Sequence, residues 1–581
     1  MENTGFSYEE FDSGVDKRKG EKQKRCSSYN ECCGESAGFG VLCPDGSLYQ
    51  DVPCKQSMVF SKHHHQQQEQ AIFEYQVLDE GRFNMVLPQI ERYRKDIYGG
   101  VEPEKDKRDS DSLASLELLK SHGKGFNRLN RKRILELSND TACKKQAFQE
   151  LSTEEIIRIA GTRFIQSSTQ VSDDTASELN NPFNLSFSNL SDEDEKNVEI
   201  AELLLASSEK VGNQQFESAS RLLKECQRLA SKTGNSVQRI VHYFSEALQE
   251  RIDRATGEFE QAGYEKRKTV NIDEVIMAPT PDIMASYRKV PFSQLSQFAG
   301  IQAIVENIAE AKRIHVIDLG IRCGVQWTLL MQALISRSEQ PVELLKISAV
   351  GTTMKQVMED TGDRLIAFAQ SIGLPFSFKL IMVSDMLELK HDLFDLDPDE
   401  TIAIFGEYIL RSLLPLPDRL HYIMQEIRKL NPSIMVVTEV DANINSPVFV
   451  NRFIEALFYF SAYFDCLDAC LKDDPNRLII ESVHLGEGIR NIVATEGEER
   501  TIRNVKIDIW RLFFSRFGME ELEFSSTSLY QANMIAEKFN CGSSCSAEMN
   551  GKALLFCWKG TPIHCLSAWK FFRDEERGDK I

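Results

Sequence analysis

Residues Arg313–Trp327, RIHVIDLGIRCGVQW, constrain what this chain can fold into more than any other stretch. Ile314, Val316 and Ile317 make a short β-branched run, and Asp318 with Gly320 closes it. Gly324 follows, and Gln326 and Trp327 open an apolar helical pattern through Leu329, Leu330 and Leu334. A buried strand that ends in Asp-x-Gly and turns straight into a helix is how a doubly wound α/β sheet begins. The residues before it are expected to be an appendage, and those after it the sheet.

At 581 residues the chain is too long for one compact core, so two folded units plus flexible segments are expected. Its net charge of −20 argues against a protein whose main affinity is for phosphate backbones, although a local basic patch is compatible with it. None of the fourteen cysteines has zinc-site spacing; Cys466/Cys470 and Cys541/Cys545 are each four apart. Free buried thiols in a reducing compartment are the reading, with no metal and no cofactor. No signal peptide is evident, and no apolar run reaches the roughly 20 residues that cross a bilayer. A soluble intracellular protein is expected.

Residues 1–150 read as largely disordered and low in complexity, with a His63–His65 and Gln66–Gln68 tract. Two basic clusters, Lys17–Lys19 with Lys22, Lys24 and Arg25, and Arg128 with Arg131–Arg133, fit either nuclear import signals or solvated faces. Residues 151–191 hold a short helix and a linker. Ser152-Thr-Glu-Glu155 is a capping box, and Ile156, Ile157 and Ile165 need either the later domain or a partner to cover them. Residues 192–270 carry three helical patterns, with breaks at Gly212-Asn213 and Thr233–Asn235, which suits antiparallel helical packing. Residues 271–575 form the α/β part. Strands are expected at Leu344–Val350, Phe378–Val383, Thr401–Phe405 and Ile434–Glu439, a helix at Thr361–Gly373, and a hairpin from Ala553–Trp558 and Ile563–Ala568.

From about Asp194 to Arg573 the chain resembles the plant GRAS family of scarecrow-like and DELLA-like regulators. LLLASSEKV and the run after it are similar to the first leucine-rich region, RIHVIDLG…GVQW to the VHIID motif, and TGDRLIAFAQSIGLPF to the second leucine-rich region. VVTEVDANINSPVFV resembles the PFYRE region, and Trp510, Cys557–Gly560 and Ser567–Trp569 the SAW region. The resemblance implies a helical cap on a Rossmann-like, methyltransferase-related core. It also implies a nuclear transcriptional regulator, not an enzyme, that scaffolds other transcription factors and dimerises with its own kind, with direct contact to promoter DNA as an additional option. Gly320 and Ile301 stand where the family usually has an acidic residue and an asparagine, which marks a divergent branch. No DELLA-like sequence precedes residue 190.

The catalytic hint is confined to Asp318, Gly320, Gly324 and Glu439. Glycines after the first strand let backbone amides approach a cofactor such as S-adenosylmethionine, which makes a methyltransferase-like enzyme or small-ligand sensor the rival reading. Against it, Arg322 and Cys323 are bulky for a cofactor loop, and the second strand ends without a carboxylate. Ile317, Asp318, Gln326, Trp327, Pro447, Arg490, Trp510, Trp558 and Trp569 are read as structural motif positions. Leu203, Leu204, Leu222 and Leu223 are candidates for partner binding. Glu439, Asp441 and Asn443 either line a pocket or cap the next helix, and Arg490, Glu496 and Glu498 are candidates for ion pairs fixing cap to core.

Overall fold

Helix α1 (Thr153–Thr169) begins at the expected capping box: the Ser152 N–H donates to Glu155 Oε2 at 2.9 Å, and the Glu155 N–H donates to Ser152 Oγ at 3.3 Å. Its apolar face is covered within the chain, with Ile156 and Ile157 buried. The covering surface comes from α2 (Asp192–Gly212), which with α3 (Phe216–Leu229) and α4 (Ser236–Thr256) forms the helical cap. The breaks fall where the sequence put them. Asn235 caps α4 through Gln238 in a second reciprocal box, and Gly257 at φ 79° ends it.

The computed structural model describes residues 118–119, 151–169, 190–258, 280–337 and 340–572, all within the unit Pro88–Ile581. The histidine tract and both basic clusters lie outside the described residues.

Helices α5 (Pro281–Lys289) and α6 (Phe292–Asn307) lead into β1 (Arg313–Asp318). The chain then alternates through α7 (Val325–Ile335), β2 (Leu344–Gly351), α8 (Lys355–Ser371), β3 (Phe376–Met382), β4 (Thr401–Glu407), α9 (Pro417–Leu430) and β5 (Ile434–Val440). After β5 come α10 (Phe449–Leu471), a π-helical stretch Ile480–Gly486, α11 (Glu487–Ala494) and α12 (Ile507–Arg516). Last are β6 (Met519–Leu522), α13 (Ser526–Lys538), β7 (Cys545–Asn550), β8 (Ala553–Trp558) and β9 (Thr561–Phe571).

The strands form one sheet in the order β3-β2-β1-β4-β5-β9-β8-β7, with β6 also paired to β9. The first five are parallel and the rest antiparallel. This is a Rossmann-like α/β core under a helical cap, with the order reversing between β1 and β4. Side chains of β1 alternate between faces: Ile314 and Val316 enter the core on the cap side, Ile317 the core on the other. Burying each of these contributes about 1.5–3 kcal/mol.

Several boundaries differ from the sequence reading. Helix α8 starts at Lys355, not Thr361, because Met354 at φ 56° turns the chain and the polar first turn hides the helical period. Strand β9 runs to Phe571, longer than expected, because it pairs with β5, β6 and β8 at once. Helices α10 and α11 of the core pack on α1, α2 and α4, so the cap–core seam joins segments far apart in sequence.

Buried ions lock cap to core. Arg239 on α4, 2% exposed, donates to Glu481 in the π-helical stretch at 3.0 and 3.2 Å and to Asp468 on α10 at 2.6 Å. Arg490 on α11 pairs in bidentate fashion with Glu250 on α4 at 2.6 and 2.8 Å. Glu496 meets Arg452 on α10 and lies 2.9 Å from Arg251 on α4. Glu498 is exposed, and its neighbour Glu499 pairs with Arg254 instead.

Candidate functional site

The carboxyl ends of β1 and β4 flank the point where strand order reverses, the place an open α/β sheet offers a ligand. Asp318 ends β1 and is 1% exposed. One of its oxygens accepts the Gly320 N–H at 3.0 Å and the other the Trp327 Nε1–H at 2.8 Å. Burial pushes its carboxyl up to about 7 against both hydrogen bonds. Trp327 in turn packs edge-on against Phe405 of β4. Asp318 therefore holds the strand-to-helix turn together, and its acceptor oxygens are engaged internally.

The chain's own side chains pack close to the glycines around this turn. A Cβ at Gly320 would meet Ile409 at 3.6 Å. Gly324, at φ 71°, starts α7 in the left-handed region, and a Cβ there would lie 2.8 Å from Thr361 Cγ2. At the end of β2 the Met358 and Met382 sulfurs close over Gly351. Glu439 on β5 faces the same rim, but its Oε1 accepts the Leu410 and Arg411 N–H groups at 3.0 and 3.2 Å. Asp441 accepts the Ile507 N–H at 2.8 Å, so it caps α12 and not the helix that follows it in sequence.

One step along the sheet the crevice opens. A cavity of about 200 Å³ lies over the ends of β4 and β5, under α10, the π-helical stretch and α5. Glu407 and Tyr408 leave β4 into it, with Tyr408 at φ 58°, a conformation that costs a non-glycine residue about 1–3 kcal/mol. That turn sends the Tyr408 hydroxyl to His564 Nδ1 at 2.8 Å. Burial pushes Glu407 up, opposed by the nearby Arg322, and depresses His564 to about 3, so its ring is neutral at physiological pH. The Arg322 and Arg411 guanidiniums lie 4.8 and 5.3 Å from the centre of the Tyr408 ring. Sequence reasoning missed this cavity. Its walls come from segments spread between Ile283 and His564, and the available signal was Glu407-Tyr408 at the end of the strand beside β1.

The remaining singled-out positions are structural in their surroundings. Ile317, Gln326 and Trp327 are buried, while Pro447 is exposed in the loop before α10. Trp510 stacks on Phe514, Trp558 donates to Asp465 at 2.7 Å, and Trp569 donates to Ser567 at 2.9 Å. Of the leucine pairs, Leu204 and Leu223 are fully buried within the cap, and only Leu203 and Leu222 retain some exposure. Along the cap–core seam the arginines are matched by carboxylates, so among the described residues it is not a broad positive groove.

Comparison with known proteins agrees with these motifs. The family model described as the GRAS domain family matches residues 200–570. "DELLA protein RGL1" of Arabidopsis thaliana is 31% identical over 387 residues, 66% of this chain and 72% of that relative. "DELLA protein 1" of Medicago truncatula is 29% identical over 406 residues, 67% of this chain and 66% of that relative. The crystal structure of SCL7 in Oryza sativa superposes with a TM-score of 0.56 at 26% identity, covering 64% of this chain and 99% of that one. The chain belongs to the GRAS domain family, a family of plant transcriptional regulators.

Proposed function

We propose that this protein is a nuclear regulator of transcription that works by assembly and not by catalysis, holding other transcription factors on its outer surface. The observation that carries this reading is the closely packed turn above β1. Ile409, Thr361, Met358 and Met382 pack against the glycines that follow β1 and end β2, and Asp318 spends both acceptor oxygens inside the turn. Meanwhile large apolar side chains face outward. On α12, Ile509 and Leu512 are one helical turn apart and 47% and 44% exposed, a pair suited to a partner helix. The partners in this reading are transcription factors and other GRAS-family chains, as homo- or heterodimers. Promoter DNA is reached mainly through them, since the seam arginines are already neutralised.

The test fuses the full chain to a heterologous DNA-binding domain in plant protoplasts. The fusion should concentrate in the nucleus and change the output of a tethered reporter, and Ile509→Asp with Leu512→Asp should weaken that change while leaving the circular dichroism intact. A wild-type fusion that leaves the reporter unmoved sinks the reading.

A further inference from the structure

Four cysteines that the scaffold reading leaves without a role converge near the C-terminal end of α10. Cys466 and Cys470 stand one turn apart on that helix, their sulfurs 3.8 Å from each other. Cys541 lies in the turn between α13 and β7, and its Sγ accepts the Cys470 thiol at 2.9 Å. Cys545, the first residue of β7, is within electrostatic range of all three. Each is a free thiol. Among the described residues no group of three or more ligating side chains is disposed to hold a metal ion, so the contact to explain is sulfur on sulfur.

Distance and exposure single out Cys470 and Cys541. Disulfide sulfurs are about 2.05 Å apart, so less than about 1 Å separates this pair from bonding distance. Cys470 is half-buried, whereas Cys466 is fully buried and Cys541 is 8% exposed. A reagent arriving from solvent therefore meets Cys470 first. The hydrogen bond with Cys466 pushes the Cys470 thiol up, and the one from Cys470 does the same to Cys541, with burial adding to both. Little thiolate is present at neutral pH, so the pair reacts slowly and answers sustained oxidant.

We propose that Cys470 and Cys541 form a reversible disulfide that staples α10 to the turn before β7 when a hydroperoxide persists. In a reducing compartment such bonds are transient and serve redox sensing. The Cys470 thiolate attacks a peroxide oxygen and breaks the O–O bond, becoming a sulfenic acid, while the departing hydroxide takes up the thiol proton as water. The Cys541 sulfur then attacks Cys470. The S–S bond forms as the S–O bond breaks, and a second water carries off the Cys541 proton. Each sulfur gives up one electron, and the peroxide gains both. A dithiol returns the pair to thiols by exchange.

The staple falls at a junction of cap and core. Asp465 on α10 accepts the Thr153 N–H of α1 at 3.4 Å and the Trp558 Nε1–H at 2.7 Å, and pairs with Lys559 at 2.7 Å. The Lys559 N–H donates to Ser544 O at 2.7 Å, inside the turn that Cys541 begins. Oxidation thus tightens a turn already bound to the hairpin, and through α10 to the cap. This goes beyond the scaffold reading and is independent of which partners the outer surface holds.

The experiment exposes the reduced full chain to hydrogen peroxide and maps its links by mass spectrometry after digestion without reductant. The dominant link should be Cys470–Cys541, lost again on adding dithiothreitol, and it should no longer dominate when the chain is oxidised in urea. Cys541→Ser should abolish it and raise the labelling of Cys470 by dimedone, which traps sulfenic acid. Amides of residues 541–545 should exchange hydrogen more slowly in the oxidised chain than in the reduced one. A dominant link elsewhere, including Cys466–Cys470, the same link formed equally well in urea, unlabelled Cys470 in Cys541→Ser, or unchanged exchange each overturns the proposal.

Discussion

Replacing Arg239 by methionine tests how the cap is held. The guanidinium is 2% exposed and Glu481 is fully buried, so the substitution strands a carboxylate in the interior. Removing one partner of a buried pair costs about 3–5 kcal/mol, most of it from the charge left behind. Arg477 sits 3.7 Å from Glu481 and takes over part of the compensation, so a loss near 3 kcal/mol is expected, at the low end of that range. Asp468 retains Arg477 at 2.8 Å and adds little to the loss. Adding Glu481→Leu removes the stranded charge and should restore more than half of the lost stability. The assay is urea unfolding of the full chain by far-UV ellipticity, with tryptophan fluorescence as a second probe. All four tryptophans lie in the α/β core, so unlocking of the cap alone appears as ellipticity lost before fluorescence. A double variant whose loss equals or exceeds the sum of the two singles would refute the reasoning, because the pair would then be uncoupled.

Other consequences follow from the site. Gly324→Ala places a methyl 2.8 Å from Thr361 in a left-handed turn and should cost about 2–4 kcal/mol in urea unfolding, from backbone strain plus overpacking. Asp318, raised to about 7 by burial, contributes stability that is complete below its unfolded value near 3.8 and is lost as pH rises through 7. Asp318→Asn should therefore flatten the stability profile between pH 5 and 8 and be more destabilising at pH 5 than at pH 8. His564, depressed to about 3, works in the opposite direction: its contribution is present above pH 6.5 and lost as pH falls toward 3. His564→Gln should remove that acid-side loss, and a variant that loses stability with acid as steeply as the parent would contradict the assignment.

Much of the fold was legible because its signals are local. The capping box at Ser152, the breaks at Gly212 and Asn235, and the β-branched run of β1 each announce themselves within a few residues. The covering of α1 was not legible, since its neighbours include α10, some 300 positions downstream. The roles of the rim carboxylates were hidden for the same reason. Glu439 and Asp441 cap Leu410 and Ile507, elements adjacent in space and remote in sequence. The candidate cofactor residues lie at or just after strand ends, but what packs against them depends on Ile409 and Met358, whose side-chain directions no spacing rule reveals. The cavity escaped altogether, because a void is a property of facing surfaces and no single motif contains it.

The most direct test of the account is isothermal titration of the full chain with S-adenosylmethionine. With Ile409 packed against Gly320 and both Asp318 oxygens engaged inside the turn, the titration should give no saturable heat, and Gly320→Trp should leave that result unchanged. Micromolar binding that Gly320→Trp abolishes would contradict the account, and would make the first strand's crevice a working cofactor site.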